Sequence, residues 1–446
     1  MKNGICPNLN ALMSQGTFKT LLSTIPSVTS VALPSFMTGL YPPKLSENSL
    51  KKSSRLLNFA ALNKKTFWEY CGVLSCIVNL RCTYRPRPFN GLMISGDLYT
   101  PSENSGYTFP RKLKHSVKGF HENMERLHRP RDKSNYLQIA IDDTKRKINV
   151  FRNLLSIHSP DLALYWDGNS DLVQHYCFSE AKSINHYFMA LDRLIGRVYE
   201  KSQPENILLL SDHGFDKEPE YTFYLNNWLE KKGYLHLKWG PLRAKFYKMI
   251  MQLLSKIVTA HPSISRVVQA KTEAKGSSCF AKSYPSVDYR RTVAQLSRGW
   301  WGVDINSEML QEDEYGAVRN KLIEQLSGLS YFGSRLFREI WTSEDLYGVR
   351  AFGTVLPDIY LVTDPRCKLL GGVASNMLTG FRSKEKREGD HYNSRQGFML
   401  AQGEDVVSEN PESFSAEIVD IAPTVMSMFS LKIPRSIDGK VLPIFE

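Results

Sequence analysis

Three short stretches hold the residue types that metal-assisted chemistry needs. Asp171 and His175 stand four apart, the spacing that puts a carboxylate and an imidazole on one face of a helix, where both could grip one ion. Asp212 and His213 follow the apolar run Ile207–Leu210 and precede Gly214. In open α/β sheets ligands bind beyond the carboxyl ends of strands, and two polar residues at a buried strand end need a partner. His391 follows Gly389 and Asp390 in a loop before the apolar stretch Gly397–Leu400. Thr29 is a fourth element, placed between a strand and a helix, where a hydroxyl faces the anion-favouring helix start. Each also has an ordinary reading: a surface i,i+4 pair, a solvated loop histidine, a helix-capping threonine.

The elements that must position these residues alternate between short apolar strands and amphipathic helices. Pro7-Asn8-Leu9 opens a helix through Met13 that Gly16 stops, and Leu21–Ile25 reads as a strand. Pro26 to Thr29 turns the chain into a second helix that Gly39 ends. Pro34 fits only a first turn, so this helix is expected to begin near Ala32 or Leu33. Strands follow at Leu74–Asn79, Leu162–Trp166 and Ile207–Leu210, with helices over about 137–157 and 179–200. Residues 220–350 are richer in Trp, Lys and Tyr and read as an insertion. The sheet is expected to resume at Asp358–Val362 and Gly397–Leu400, before a closing helix Ala422–Phe429. The pattern predicts an α/β domain with a mostly parallel sheet and helices on both faces. Its core would be residues 1–219 and 351–446, with 220–350 as an inserted cap.

Composition narrows the class. The 446 residues are 42% hydrophobic and 23% charged, which excludes wholesale disorder. No apolar run reaches the roughly 18–20 residues of a membrane span, and the greasiest helix segment, Met249–Ala260, carries Gln252, Ser255 and Lys256. Lys2 is not followed by an apolar signal segment, and the seven cysteines are odd in number with no C-x-x-C pair. A reducing, cytoplasmic location is expected from this. The net charge of +12 suits an anionic partner. The basic run 109–133 holds only two aromatics, Phe109 and Phe120, and reads as a solvated face; no nucleic-acid partner is expected.

Taken together, these pieces resemble the alkaline phosphatase superfamily, and within it the type I phosphodiesterase/nucleotide pyrophosphatase family. Ser23 to Thr29, ending in Met37-Thr38-Gly39-Leu40-Tyr41-Pro42, is similar to the family's nucleophile segment. Asp171, Gln174 and His175 resemble its Asp-x-x-Gln-His motif. Ser211–Gly214 is similar to its Ser-Asp-His-Gly, and His391 to the late histidine of its Gly-x-His. Pro88–Gly91, Ser95-Gly96, Phe223–Leu229, Asp420–Thr424 and Asp438–Leu442 resemble further segments in the same order.

The resemblance implies an alkaline-phosphatase-like three-layer sandwich and a site for two divalent ions, usually zinc, with manganese also serving the superfamily. One ion would be held by Asp171, His175 and His391, the other by Asp212, His213 and Thr29. Thr29 would be the nucleophile, and Asn48 would hydrogen-bond the phosphoryl oxygens, although Lys44-Leu45-Ser46 stands where the family has His-Gly. Lys384, Lys386, Arg387 and Arg395, with Arg382 nearby, flank His391 and could steer a phosphate ester. The expected substrate is a small phosphodiester or nucleotide-like molecule. One departure is large: the family's first strand and its Asp-Gly pair are missing from the 28 residues before Thr29, none of them acidic. The sequence therefore reads either as a fragment or as a member with one weakened metal site. The rival functions are a phosphomonoesterase or phosphonate hydrolase of the same superfamily, and a non-catalytic scaffold.

Overall fold

The structure is a computed structural model that describes residues 4–46, 62, 64–96, 104–128, 130, 135–238, 287–297, 302–331, 333–351, 356–371, 376–380, 387–407 and 414–445. Its chain divides into two units. The first is Met1–Leu45, Leu56–Glu218 and Ser383–Glu446, and the second is built on Pro219–Arg382.

The first unit opens with helix α1 (Pro7–Gln15), whose proline stands in the first turn, where no N–H is needed. Its N-terminus is capped from a distance: the buried Asp192 carboxylate accepts from the N–H groups of Asn8 (3.2 Å) and Leu9 (2.8 Å). Strand β1 (Thr17–Leu22) follows. Helix α2 (Thr29–Thr38) is buried along its whole length, and Gly39 closes it with φ +68° and its N–H on Ser35 O. A side chain at Gly39 would meet Ile437, Pro423 and Ala422. The helix begins three or four residues earlier than the sequence suggests, so Pro34 lies inside it. Burial of every residue compensates for the hydrogen bond that Pro34 cannot donate.

Strand β2 (Ser75–Leu80) is buried on both faces and pairs in parallel with β3 (Gly91–Ser95) and β4 (Leu162–Tyr165). Ile77 and Met93 join a core with Leu33, Phe36 and Met37 of α2 and Ile421 and Met426 of the C-terminal helix. Cys76, Val78, Leu92 and Ile94 face the opposite core, against Phe151 and Leu154 of helix α3 (Tyr136–His158). That alternation is the period of two expected of a strand between helical layers, and each such side chain stabilises by about 1.5–3 kcal/mol. Helices α4 (Gly168–Cys177) and α5 (Ala181–Ser202) precede β5 (Asn206–Leu210), and β6 (Gln396–Gly403) runs antiparallel between β1 and β5. The sheets are therefore mixed rather than mostly parallel, because β6 enters from the opposite end.

Two strand edges stand out. Among the described residues β4 pairs only with β2, and β5 only with β6. Leu208, Leu209 and Leu210 are only partly buried and Ala163 is exposed, although the apolar run alone suggests a buried strand. A strand paired on one side keeps half its surface and one row of amides open. The basic stretch behaves as expected: Arg111, Lys112 and Lys118 face solvent while Leu113, Val117 and Phe120 turn inward. All the described cysteines are free, and Cys279 lies outside the described residues. No described helix is long and apolar enough to cross a membrane; Met249–Ala260 falls outside the described residues.

The second unit has its own core of Phe223, Trp228, Leu229, Val303, Leu322, Leu326, Ile359 and Leu361. Strands Ala294–Leu296, Gly302–Ile305, Ile359–Thr363 and Phe337–Thr342 form an antiparallel sheet. This corrects the expectation that the first domain resumes at residue 351: the strand at Ile359–Thr363 pairs within the inserted unit, which extends to Arg382. An apolar run of five does not say which sheet it joins.

Cross-strand pairing of Val303 with Ile359 sets Asp304 beside Asp358. Tyr315 donates to Asp358 Oδ1 (2.6 Å) and the Ile305 N–H to Oδ2 (2.5 Å). Burial pushes Asp358 up to about 7, and burial together with its neighbour Asp358 pushes Asp304 up to about 8. Below about pH 7 the folded chain favours both carboxyls protonated, whereas the unfolded chain ionises them near pH 4. Their contribution to stability is full below that pH and is lost as pH rises through 7 and 8. The melting temperature of this unit is expected to fall between pH 5 and pH 8.5 by roughly 5 °C, the effect of about 2 kcal/mol at this size. Asp304→Asn should flatten that fall in calorimetric scans.

Candidate metal centre

The first unit gathers Thr29, Asp171, His175, Asp212, His213 and His391 in one place. Asp171 and His175 lie on α4, one turn apart. That helix is held by a buried polar frame. Asp167 caps it, accepting from Ser170 N–H (3.2 Å) and from the hydroxyls of Tyr187 (2.8 Å) and Thr144 (3.2 Å). Asp212 and His213 follow β5 at its carboxyl end. His391 follows the short strand Gly389–Asp390, which pairs with Asp216–Lys217. A side chain at Gly389 would strike Phe215 and Gln174 O, so only glycine permits this approach to α4.

All three histidines are fixed in the same way. His175 Nδ1 lies 2.8 Å from Gly389 O, His213 Nδ1 3.0 Å from Gly214 O, and His391 Nδ1 3.0 Å from Ser27 O. A carbonyl oxygen only accepts, so each Nδ1 carries the proton and each Nε2 keeps its lone pair. Those lone pairs converge. Asp171 Oδ1 is 3.5 Å from His175 Nε2 and 3.8 Å from His391 Nε2, and the His213 and His391 rings stack at 4.0 Å. Ligand atoms of Asp171, His213 and His391 all lie within 4.8 Å of one another. This trio draws from both of the ligand sets that the sequence suggests. Around His213 Nε2 stand Asp212 Oδ2 at 3.5 Å and Thr29 Oγ1 at 3.1 Å.

Two buried carboxylate oxygens here, Asp171 Oδ1 and Asp212 Oδ2, have no hydrogen-bond partner. Buried acceptors left without donors need an explanation, and a cation supplies one. Burial alone would raise the Asp171 carboxyl, but His175, His391, Arg81 and His213 beside it outweigh burial and hold it well below the usual range, the Arg81 guanidinium being the charge that remains when the imidazoles are neutral. Burial and the neighbouring His213 press His391 down to about 3, so it stays neutral. Ionised carboxylates and neutral imidazoles are the forms that bind metal, and a mixed N/O set suits zinc.

Thr29 is the first residue of α2, not its cap; Val28 occupies the cap position and makes no side-chain bond. The capping alternative is therefore set aside. Asn48, Lys384, Lys386 and Arg382 lie outside the described residues. Arg395 is close by, its Nε donating to Ser23 O at 3.4 Å. Sequence reasoning missed Arg81, whose Nη1 is 3.4 Å from Asp171 Oδ2 and whose guanidinium stacks on Trp166 at 4.4 Å. Its signal was a charge directly after a largely apolar strand, Ser75–Leu80, at the end where ligands bind.

The fold is shared with proteins of known structure. Phosphonoacetate hydrolase from Sinorhizobium meliloti 1021, in complex with phosphonoformate, superposes with a TM-score of 0.56 at 14% identity, over 96% of this chain and 91% of that one. Human ectonucleotide pyrophosphatase/phosphodiesterase 5 gives 0.50 at 13% identity, over 98% and 92%. Comparison of the sequence with curated proteins gives no match. The sequence pattern of the type I phosphodiesterase/nucleotide pyrophosphatase family matches residues 1–45 and 87–391. The chain thus belongs to the type I phosphodiesterase/nucleotide pyrophosphatase family, a family of phosphoric ester hydrolases.

Proposed function

We propose that the chain is a metal-dependent phosphodiesterase or nucleotide pyrophosphatase that uses Thr29 as its nucleophile. The observation that supports this most is that ligand atoms of Asp171, His213 and His391 lie within 4.8 Å of one another, with two unpartnered carboxylate oxygens, Asp171 Oδ1 and Asp212 Oδ2, and with the Thr29 hydroxyl 3.1 Å from His213 Nε2. Asp171, His175 and His391 would hold one divalent ion, and Asp212, His213 and Thr29 a second. Bound there, zinc or manganese supplies Lewis acidity and lowers the pKa of a coordinated hydroxyl.

The chain's own groups do the rest. Thr29 Oγ1, steered by His213, attacks phosphorus; the bond to the leaving alcohol or phosphate breaks as the phosphothreonine ester forms. The threonine proton passes to solvent as the hydroxyl attacks and the departing oxygen takes one up; water then cleaves the ester, its OH going to phosphorus and its proton restoring the Thr29 hydroxyl. The positive end of α2, a ten-residue helix starting at Thr29, favours the phosphoryl anion. The fold reading that goes with this function is a three-layer sandwich interrupted in sequence by Pro219–Arg382. A phosphonate is the rival substrate, because the phosphonoacetate hydrolase fold is alike.

Purified full chain supplied with zinc is expected to turn over bis-p-nitrophenyl phosphate at least about tenfold more efficiently in kcat/KM than p-nitrophenyl phosphate or phosphonoacetate. Faster turnover of the monoester or of phosphonoacetate would assign the site to one of those reactions instead.

A further inference from the structure

Arg81 comes directly after β2, a strand with no exposed residue, and its own side chain is 4% exposed. A buried guanidinium is costly unless its surroundings are built for it. Here they are. One face lies on the Trp166 ring, and Asn79 Nδ2 holds the Trp166 carbonyl at 2.9 Å. Gly168 closes over both residues: a side chain there would strike the Trp166 ring and come within 3.1 Å of Arg81 Nη2. Parallel pairing of β2 with β4 brings Arg81 and Trp166 to the same end of the sheet, where α4 begins.

The arrangement sorts the two oxygens of Asp171. Oδ2 faces Arg81 Nη1 at 3.4 Å. Oδ1 faces His175 Nε2 and His391 Nε2 and has no hydrogen-bond partner. A carboxylate that gives one oxygen to an ion needs a donor on the other, and such outer partners fix ligand orientation. We propose that Arg81 is a positioning residue that holds Asp171 Oδ2, so that the carboxylate presents Oδ1 alone to a bound divalent ion. This rests on the reading of Asp171 as a metal ligand. Arg81 is suited to the task because its planar fork can stack on Trp166 and donate to Asp171 at once, which an ammonium cannot do.

The test is direct zinc affinity of the full-length chain, measured by competition with a chromophoric chelator, beside thermal melts of the metal-free forms. Asp171→Asn examines the underlying reading: if it binds zinc as tightly as the parent, Asp171 is no ligand and that reading fails. With that reading standing, Arg81→Met is expected to weaken zinc binding by about 10–100-fold, and Arg81→Lys to recover part of the loss. Unchanged affinity in a folded Arg81→Met chain overturns the proposal. So does tighter affinity, which is what removing a cation that merely repels zinc would produce. Should Arg81→Met fail to fold, Arg81→Lys decides: a several-fold weakening supports positioning, and parent-like affinity refutes it.

Discussion

Thr29→Ala is expected to abolish phosphodiester turnover, lowering kcat by at least about 1,000-fold, while the melting temperature of the metal-free chain stays near that of the parent and the ion proposed for Asp171, His175 and His391 is still bound. The geometry carries this expectation. Thr29 is 6% exposed and begins a fully buried helix, and its hydroxyl meets His213 Nε2 at 3.1 Å. Alanine keeps the helix and removes one hydroxyl and one methyl, a loss of about 1 kcal/mol from the fold. The reaction loses its attacking atom. Thr29→Ser keeps that atom and should keep measurable turnover. If the alanine variant turns over diester at more than a few per cent of the parent rate in a stopped assay, another nucleophile acts.

His391→Ala should cost more than any other single histidine replacement. Its ring lies 4.0 Å from that of His213 and 5.1 Å from that of His175, and its Nε2 is 3.8 Å from Asp171 Oδ1. It is the residue that joins both proposed ligand sets. Its removal is expected to weaken zinc binding by more than about 100-fold and to reduce turnover in parallel. Equilibrium dialysis with elemental analysis reads the stoichiometry, and added zinc should restore the parent chain, but not this variant, after chelation. Full zinc occupancy in His391→Ala would remove His391 from the ligand set.

Much of this was legible in the chain itself, and what was not has physical reasons. Helix α3 was expected over about 137–157 and spans Tyr136–His158, because its apolar period is long and unbroken. Strand β1 was placed at Leu21–Ile25 but runs Thr17–Leu22; Ser23 to Ser27 are buried by packing outside the ladder, which hydropathy cannot separate from a strand. The start of α2 is not legible from Pro34, because burial of all ten residues lets a proline stand inside the helix. Asp171, His175, Asp212, His213 and His391 were visible as motifs, since their residue types are costly to bury without a task. Arg81 was not, because the value of a charge after a strand depends on Trp166, Gly168 and Asp171, which are 85 or more positions away in the chain. The inserted unit was visible as a change in composition, but the partner of Ile359–Thr363 was not, because strand pairing is a long-range choice.

The three acceptors that orient the histidines are the main-chain oxygens of Gly389, Gly214 and Ser27. Side-chain replacement cannot delete a peptide carbonyl. The proton pattern of the imidazoles is therefore written into the course of the backbone, and a substitution disturbs it only by moving that backbone, as a side chain at Gly389 or Gly214 would. Mutational drift can rewrite most of the surface of such a centre and leave its tautomers untouched; what it cannot tolerate is an insertion or deletion that shifts a loop by one peptide.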